Sequence, residues 1–297
     1  MSQKTGLSRT KTTLDKYYTN PKYAQSCITK FTETVEINKD MDLVIEPSAG
    51  DGAFIPSLES ICDNRIYLDI QPENDKVSKV DYLEEFNPSM VNFIDIDNNE
   101  FNEKGEIINE SNKVEKVHVI GNPPFGKQSS LAIKFIKKSA KYADTIAFIL
   151  PRSFKKQSMI KHFPLNFHLV FQEDVPEDSF LVNGKPHNVP CVYQIWEKRE
   201  INRQVEAKQI PQKFKFVKQN EDPDISFRRV GVYAGNVSRE TENKSATSHY
   251  FIKLLDIDIT PAIIEKLNKI KYDKSEDTVG AKSISKQELI KEFNIIL

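Results

Sequence analysis

The sequence predicts an α/β fold in which helices cover both faces of a mostly parallel sheet. Short apolar runs recur between residues 42 and 197, and stretches with the spacing of amphipathic helices separate several of them. Strands that are apolar throughout are typical of a sheet that is buried on both faces. A loop of small residues also follows the first of these runs and precedes a helix, which is where such sheets bind ligands.

The predicted elements follow one another in the order that such a fold requires. Strands are predicted at 42–47, 65–70, 114–124 and 145–151, helices at 53–61 and 129–143, and a closing pair of strands at 167–173 and 189–197. The segment between residues 88 and 113 is rich in Asn and Glu and has no sustained period. It is therefore predicted to be an acidic surface insertion.

The pattern changes near residue 200, where we expect a boundary. Residues 213–218 alternate basic and aromatic side chains, 228–235 resemble a strand with interspersed glycines, and helices are predicted near 261–271 and 285–294. The sequence thus predicts three regions, namely a basic N-terminal segment (1–30), an α/β domain (31–200) and a small C-terminal region (201–297).

Charge is balanced over the whole chain but unevenly distributed along it. The 297 residues include 42 Lys and Arg against 43 Asp and Glu, which is no nucleic-acid signature. However, residues 1–30 have a net charge of +5, residues 81–115 of −8 and residues 201–253 of +4. The two basic segments are therefore the candidates for contact with an anionic partner.

Composition also excludes several classes of protein. No apolar run approaches the roughly 20 residues that a bilayer requires, and the N-terminus lacks the apolar centre of a signal peptide. Cys27, Cys62 and Cys191 are far apart, and neither they nor the five histidines have metal-ligand spacing. We therefore expect a soluble cytoplasmic protein with reduced cysteines and without a metal site.

The loop after the first strand is the first candidate site. Glu46-Pro47-Ser48-Ala49-Gly50-Asp51-Gly52 ends a strand and opens a helix, and its small residues allow a ligand to approach the backbone. Nineteen residues beyond Gly50, Asp69 ends the next strand, where an acid can accept the hydroxyl groups of a ribose. A tight turn followed by an unrelated Asp is the alternative interpretation.

The second candidate site is Gly121-Asn122-Pro123-Pro124-Phe125-Gly126, which follows an apolar strand. Consecutive prolines stiffen the turn, so the Asn122 side chain and the Pro123 carbonyl are held as acceptors. Phe125 provides a flat apolar surface beside them. This set suits an amine on a planar ring, because two acceptors orient the nitrogen while the aromatic ring stacks on the base. A purely structural turn is the alternative.

Taken in order, these motifs resemble those of the S-adenosylmethionine-dependent N6-adenine methyltransferases. The resemblance covers residues 12–200 and includes Asp81-Tyr82-Leu83 and the upstream run Asp15-Lys16-Tyr17-Tyr18-Thr19-Asn20-Pro21. The motif order is that of the gamma class, and the layout is most similar to small DNA adenine methyltransferases of phages and large DNA viruses. The resemblance implies a Rossmann-like methyltransferase fold with a mostly parallel seven-stranded sheet.

The resemblance implies a role for each matching residue. The expected catalytic residues are Asn122, Pro123 and Phe125. The expected cofactor-binding residues are Tyr18, Thr19, Glu46, Ser48, Gly50, Gly52, Asp69, Asp81 and Tyr82. Asp69 would hold the ribose hydroxyl groups and Asp81 the adenine amine of the cofactor. A loop Asp that caps a helix is the alternative for Asp81.

Substrate-binding residues are expected on both sides of the boundary near residue 200. They are Pro124, Arg152, Lys155, Phe180, Lys213, Lys215, Arg228 and Arg229. Phe180 resembles the aromatic residue that packs on an extruded base, with a core Phe as the alternative. The basic residues are candidates for phosphate contacts, with a solvated helix start or a solvated surface as the alternative.

The expected reaction is methyl transfer to the N6 amine of adenine in DNA, with a protein partner for target recognition left open. The motifs leave RNA open as the substrate. A protein glutamine methyltransferase is a further alternative, although it would not need the alternating basic and aromatic residues at 213–218. An inactive adaptor of the same fold would be expected to lose Asn122, which is present.

Overall fold

The computed structural model describes residues 17–87, 114–278 and 280–297. Its strands in chain order are β1 (Tyr18–Thr19), β2 (Leu43–Glu46), β3 (Asn64–Asp69), β4 (Ser78–Lys79), β5 (Val117–Gly121), β6 (Thr145–Pro151), β7 (Phe167–Asp174), β8 (Phe180–Val182), β9 (Lys185–His187), β10 (Cys191–Lys198), β11 (Phe214–Val217), β12 (Ile225–Arg228), β13 (Val237–Ser238) and β14 (His249–Leu254). The helices are α1 (Pro21–Thr34), α2 (Ile55–Ile61), α3 (Ser130–Ser139), α4 (Gln157–Ile160), α5 (Pro261–Asn268) and α6 (Lys286–Ile296). The predicted acidic insertion lies outside the described residues.

A seven-stranded sheet forms the centre of the molecule. Its strand order is β4-β3-β2-β5-β6-β10-β7, and only β10 runs against its neighbours. The chain passes from β2 outward to β3 and β4, and β5 then lies on the other side of β2, so the chain order reverses at this strand. The predicted α/β fold with a mostly parallel, Rossmann-like sheet is confirmed.

Both faces of this sheet are buried, as the apolar runs predicted. Every residue of β2, β5 and β6 is buried. One apolar cluster on the sheet includes residues of α1 and α2, and a second includes residues of α3. The sheet is therefore covered from both sides, which holds the carboxyl ends of its strands in a fixed arrangement.

Helix α1 was not predicted from the sequence, although its start is marked there. The side chain of Asn20 accepts a hydrogen bond from the Lys22 N–H group, and Pro21 occupies the first turn. Asn before Pro is a favourable beginning for a helix. Tyr23, Cys27 and other residues on one face of α1 are buried against the central sheet.

A three-stranded sheet, β1-β8-β9, links the start of the described chain to the loop between β7 and β10. In it, Thr19 pairs with Phe180 and Tyr18 pairs with Leu181. The N–H group of Asn20 extends the pairing by donating to the Ser179 carbonyl at 2.8 Å. This pairing brings together two segments that are far apart in sequence.

The C-terminal residues form a second, antiparallel sheet with the order β11-β14-β12-β13. Helices α5 and α6 contribute to a separate apolar cluster with this sheet. The strand expected at 228–235 was wrong, because β12 ends at Arg228 and the chain then turns through Gly231 and Gly235. Both glycines have positive φ, +101° and +103°, which a regular strand does not contain.

Several contacts join the C-terminal residues to the central sheet, and two of them lie near the carboxyl end of β6. Lys156, which follows β6, donates from Nζ to the Ser283 carbonyl at 2.7 Å. Lys155 Nζ lies 3.6 Å from Asp277 Oδ1. Asp277 and Ser283 therefore lie against the segment that leaves the carboxyl end of β6. Over the described ranges, no helix has the length and apolar character needed to cross a bilayer.

Candidate active site at the carboxyl edge of the sheet

The two predicted sites meet at one edge of the central sheet. β2 ends at Glu46, β3 at Asp69 and β5 at Gly121, and these three strands are parallel neighbours. The Ser48 hydroxyl donates to the Asn122 carbonyl at 3.1 Å, which joins the small-residue loop to the Asn-Pro-Pro-Phe turn. The structure therefore brings both motifs to the point where the chain order of the sheet reverses.

Asp69 holds the small-residue loop in place. Its Oδ2 accepts from the Gly50 N–H group at 2.9 Å, and its Oδ1 accepts from the Gln71 N–H group at 2.7 Å. Each carboxylate oxygen can still accept a further hydrogen bond. The arrangement shapes the loop, and it leaves the carboxylate available to a ligand hydroxyl group.

The two glycines of the loop are required by its shape. Gly50 and Gly52 have φ of +53° and +88°. A Cβ atom on Gly52 would lie 2.6 Å from Asn74 Nδ2 and 2.8 Å from Ile55 Cδ1. A Cβ atom on Gly50 would lie 3.4 Å from the Tyr18 ring. Larger residues would therefore strain the loop and fill the space between it and β1.

Glu46 is a buried carboxyl group at the end of β2. It is 1% exposed, and its Oε2 has no hydrogen-bond partner among the described residues. Burial, together with the negative charges of Asp51 and Asp69, raises the pKa of Glu46 to about 8. A buried acceptor without a partner is costly in a folded protein, so Glu46 is poised to receive a cationic or hydrogen-bond-donating ligand.

Residues of β1 cover this loop and contact the second motif. The Tyr18 hydroxyl donates to Glu73, which places the Tyr18 ring over Gly50. The Thr19 side chain is 4% exposed and faces Asn122. Both upstream residues that the resemblance assigned to the cofactor therefore lie at this edge of the sheet.

The Asn122 side chain is fixed in one orientation. Its Nδ2 donates to the Tyr17 carbonyl at 3.3 Å and to Thr19 Oγ1 at 3.2 Å. Both N–H groups of the amide are thereby used, and among the described residues none donates to Oδ1. An acceptor oxygen held in this way is preorganised for a ligand that offers an N–H group.

The three residues after Asn122 form the rest of the turn. Pro123 is buried, while Pro124 and Phe125 are partly exposed. The Phe125 carbonyl accepts from the N–H groups of Leu131 and Ala132 at 3.1 and 3.3 Å, which anchors the start of α3. The Phe125 side chain packs against both apolar clusters of the sheet, so its position is set by the core.

The structure corrects the cofactor role expected for Tyr82. Tyr82 is 2% exposed, and its hydroxyl is hydrogen-bonded to Ser139 and Tyr142. Its ring stacks on Phe86 and Phe135 in the core. Asp81 lies just beyond β4, but its Oδ1 accepts from the Leu83 N–H group at 2.8 Å. It caps the following turn, and its contact with the adenine amine of the cofactor stays a prediction.

The structure also corrects the base-packing role expected for Phe180, and it pairs two of the expected phosphate-binding residues with carboxylates. Phe180 is 1% exposed within the apolar core, so it presents no face to a base. Arg152 and Lys155 are paired with Asp174, at 3.6 Å from Arg152 Nε and 3.1 Å from Lys155 Nζ. These basic groups are balanced by carboxylates, and Lys155 is shared with Asp277 at the contact with the C-terminal loop.

The four basic candidates of the C-terminal region have different environments. The Arg228 and Arg229 guanidinium groups donate to the carbonyls of Val230 and Thr247, respectively, so both help to hold their own loops. Lys213 donates to the Leu297 carbonyl. Lys215 is exposed on β11, where no carboxylate of the described chain pairs with it. Only Lys215 is free of an internal role.

Sequence reasoning missed two features of the site. Ile70 directly follows Asp69 and is 57% exposed at the carboxyl edge, an apolar surface beside a polar loop. Its position at the end of a buried run was the available signal. The second is a stacked pair, Tyr17 and His187, whose ring centroids are 5.3 Å apart. Only the pairing of β1 with the β8–β9 hairpin reveals it.

No group of three His, Cys, Asp or Glu side chains in the described ranges is arranged to ligate a metal. The site therefore consists of a glycine loop with buried and half-buried carboxyl groups, an oriented amide oxygen and an aromatic ring. Such a set can bind a polar, partly cationic ligand next to a planar amine.

Comparison with known proteins gives distant structural likenesses. No family model matches the sequence, and no curated protein matches it. Among solved structures, a Pyrococcus horikoshii protein assigned as an RNA methyltransferase has a TM-score of 0.42 and 16% identity, over 66% of this chain and 92% of that one. The 23S rRNA methyltransferase ErmE has a TM-score of 0.41 and 15% identity, over 63% of this chain and 71% of that one. A Listeria monocytogenes protein assigned as a class I S-adenosylmethionine-dependent methyltransferase has a TM-score of 0.41 and 12% identity, over 63% and 62%.

Proposed function

We propose that this protein transfers a methyl group from S-adenosylmethionine to the N6 amine of adenine in a polynucleotide, with DNA as the first candidate. The observation that carries the proposal is the orientation of Asn122. Its amide nitrogen is held by Tyr17 and Thr19, so its Oδ1 is left as an acceptor beside a rigid Pro-Pro turn and the Phe125 ring. A planar amine needs this combination of acceptor and aromatic surface.

The residues of the glycine loop fit S-adenosylmethionine. The unpartnered Glu46 Oε2 suits the ammonium group of its methionine part. The Asp69 carboxylate suits the ribose hydroxyl groups, and the exposed Ile70 side chain offers an apolar contact to the adenine ring. Gly50 and Gly52 leave room for the ligand to approach the backbone. When bound, the cofactor supplies an electrophilic methyl group on a cationic sulfur.

The residues of the turn would then align the target nitrogen. Asn122 Oδ1 and the Pro123 carbonyl accept the two N–H groups of the amine, which turns its lone pair toward the loop. The same oxygens stabilise the positive charge that develops on the nitrogen during attack. Phe125 supports the base by stacking. No strong base is needed, because the nitrogen loses its proton after it has become cationic.

A labelling experiment tests this proposal. The protein is incubated with S-adenosylmethionine carrying a labelled methyl group and, separately, with duplex DNA, single-stranded DNA, RNA and a protein mixture. The label is then identified after digestion to nucleosides or amino acids. N6-methyladenine from DNA is the expected product. The same nucleoside from RNA alone would identify RNA as the substrate instead of DNA. Label in cytosine or glutamine would refute the proposal.

The Asn122→Ala variant provides the matched control for that experiment. It removes the oriented acceptor, and it should lower the rate of label transfer about 100-fold while leaving cofactor binding at the parent level. Label transfer at the parent rate in this variant would show that the reaction does not use the proposed pocket.

A further inference from the structure

The loop between β12 and β13 presents two apolar side chains to solvent. Val232 is 85% exposed and Tyr233 is 75% exposed, whereas the Phe and Tyr side chains elsewhere in this region are buried or partly buried. They lie between Gly231 and Gly235, whose positive φ angles turn the chain sharply on both sides. We call residues 231–235 the aromatic tip.

The aromatic tip is a defined structure. The Ala234 N–H group donates to the Gly231 carbonyl at 3.0 Å, and the Gly235 N–H group donates to the Arg228 carbonyl at 2.8 Å. The Gly231 N–H group donates to the Lys282 carbonyl at 3.0 Å, which ties the tip to the next loop. Tyr233 is therefore exposed by an ordered backbone. Little backbone entropy would be lost when the ring binds a partner.

Basic side chains surround the base of the aromatic tip. A Cβ atom on Gly231 would lie 3.4 Å from Arg228 Nη2, and Arg229 lies over the Tyr250 ring, with 5.4 Å between Cζ and the ring centroid. Lys282 is also present, paired with Glu276. An exposed aromatic ring next to guanidinium groups is suited to a nucleotide, because the ring can stack on the base while the guanidinium groups attract the phosphate. A neutral apolar partner or an acidic surface would fit this combination less well.

The aromatic tip is connected by direct contacts to the catalytic edge of the sheet. Val230 forms a β-bridge with Ser283, and the Ser283 carbonyl accepts from Lys156, which follows β6. β6 is the parallel neighbour of β5, which ends at the Asn122 turn. The aromatic tip and the Asn122 turn are therefore linked through β6 and the contact between Lys156 and Ser283.

We propose that the aromatic tip is a nucleic-acid contact in which Tyr233 stacks on an unpaired base outside the catalytic pocket, with Val232 beside it. This inference rests on the proposed function for its choice of a polynucleotide. The Tyr233 ring contributes stacking, whereas any attraction to phosphate comes from the neighbouring arginines. Removal of the ring should therefore weaken binding by the same factor at every salt concentration.

Fluorescence gives a direct test of the contact. The Tyr233→Trp variant places an indole at the aromatic tip, while the native Trp196 is 1% exposed and serves as a constant background. Addition of single-stranded DNA or RNA oligonucleotide should quench the new fluorescence. The control is Ile201→Trp, a site that is 70% exposed and follows β10 at the opposite edge of the sheet. It should not be quenched.

Binding of a labelled oligonucleotide gives the second measurement. Tyr233→Ala should weaken binding at least about fivefold, with an unchanged slope against salt concentration, and Tyr233→Phe should restore it. Parent-level binding by Tyr233→Ala, or equal quenching in both tryptophan variants, would overturn the inference. So would a Tyr233→Ala variant whose only change is loss of self-association in sedimentation, because the aromatic tip would then be a protein contact.

These measurements need neither cofactor nor methyl transfer. Quenching at the aromatic tip without any methylated adenine would refute the proposed function and leave the contact standing. Methylated adenine without quenching would refute the contact alone.

Discussion

The buried carboxyl group of Glu46 should make cofactor binding strongly dependent on pH. Its pKa of about 8 means that the free protein carries a neutral Glu46 at pH 6. The ammonium group of the cofactor favours the ionised form, so binding must remove the proton. At pH 6 this costs about 2.7 kcal/mol, because two pH units correspond to twice 1.36 kcal/mol. Affinity should rise nearly tenfold per pH unit at first and level off near pH 8, where the ammonium group, with an ordinary pKa of about 7.8, begins to lose its own proton; the net gain is about 20-fold.

Isothermal titration calorimetry can measure this linkage. Titrations at pH 6, 7 and 8 in buffers of different ionisation enthalpy give both the dissociation constant and the number of protons released. We expect close to one proton released at pH 6 to 7, and fewer at pH 8. The Glu46→Gln variant, which keeps the volume but cannot ionise, should bind more weakly at pH 8 and show little dependence on pH.

The stability of the free protein should change in the opposite sense. The folded pKa of Glu46 lies above its ordinary value of 4.5, so its contribution to folding declines as the pH rises from 4.5 to about 8. Glu46→Gln should therefore gain thermal stability relative to the parent over this interval. A dissociation constant that stays within twofold from pH 6 to pH 8, or the same slope in Glu46→Gln, would refute this account of the site.

Further predictions concern the pocket, the loop and the core. Asn122→Ala should lower turnover about 100-fold with little change in cofactor affinity, since it removes one preorganised acceptor. Phe125→Ala should weaken substrate binding by about 1 to 3 kcal/mol, while Phe125→Tyr should retain most activity. Steady-state kinetics with folded variants separate these effects. Asp69→Ala should weaken cofactor binding by about 1 to 3 kcal/mol in calorimetry, and an unchanged constant would exclude its contact with the ribose. Burial would raise the pKa of Asp42, but hydrogen bonds from His118 and a backbone N–H group outweigh burial and lower the pKa. The ionised Asp42 therefore stabilises the folded protein above about pH 4, and this contribution is lost in stronger acid. Thermal melts should show the parent losing more stability than Asp42→Asn as the pH falls through this range.

Most of the central sheet was predictable because its strands are marked by composition. The runs that became β2 and β6 were placed within a residue or two, since strands buried on both faces are apolar throughout. The edge location of Glu46 and Asn122 followed, because parallel strands share one carboxyl edge. In contrast, the strand prediction at 228–235 was wrong, because a stretch of valines and glycines can have the same composition in a strand and in a turn.

The side chains around the site were less predictable than its backbone. Tyr82 follows a motif residue, yet its hydroxyl is used by Ser139 and Tyr142, which lie far along the chain. Lys155 likewise has carboxylate partners, Asp174 and Asp277, that no local pattern reveals. Partners of this kind depend on tertiary contacts, so motif spacing can place a residue at an edge without showing what it binds there.

The pairing of β1 with β8 has a consequence for how the pocket opens. The orientation of Asn122 depends on Tyr17 and Thr19, and their strand is held by a two-residue ladder with Phe180 and Leu181. This ladder is short and joins segments that are far apart in sequence. Its local opening should therefore require only a small fraction of the free energy of global unfolding. Amide hydrogens of β1 should exchange much faster than those of β5 and β6. The wall of the pocket can thus detach while the sheet stays intact, which gives a bulky nucleotide a route in and out.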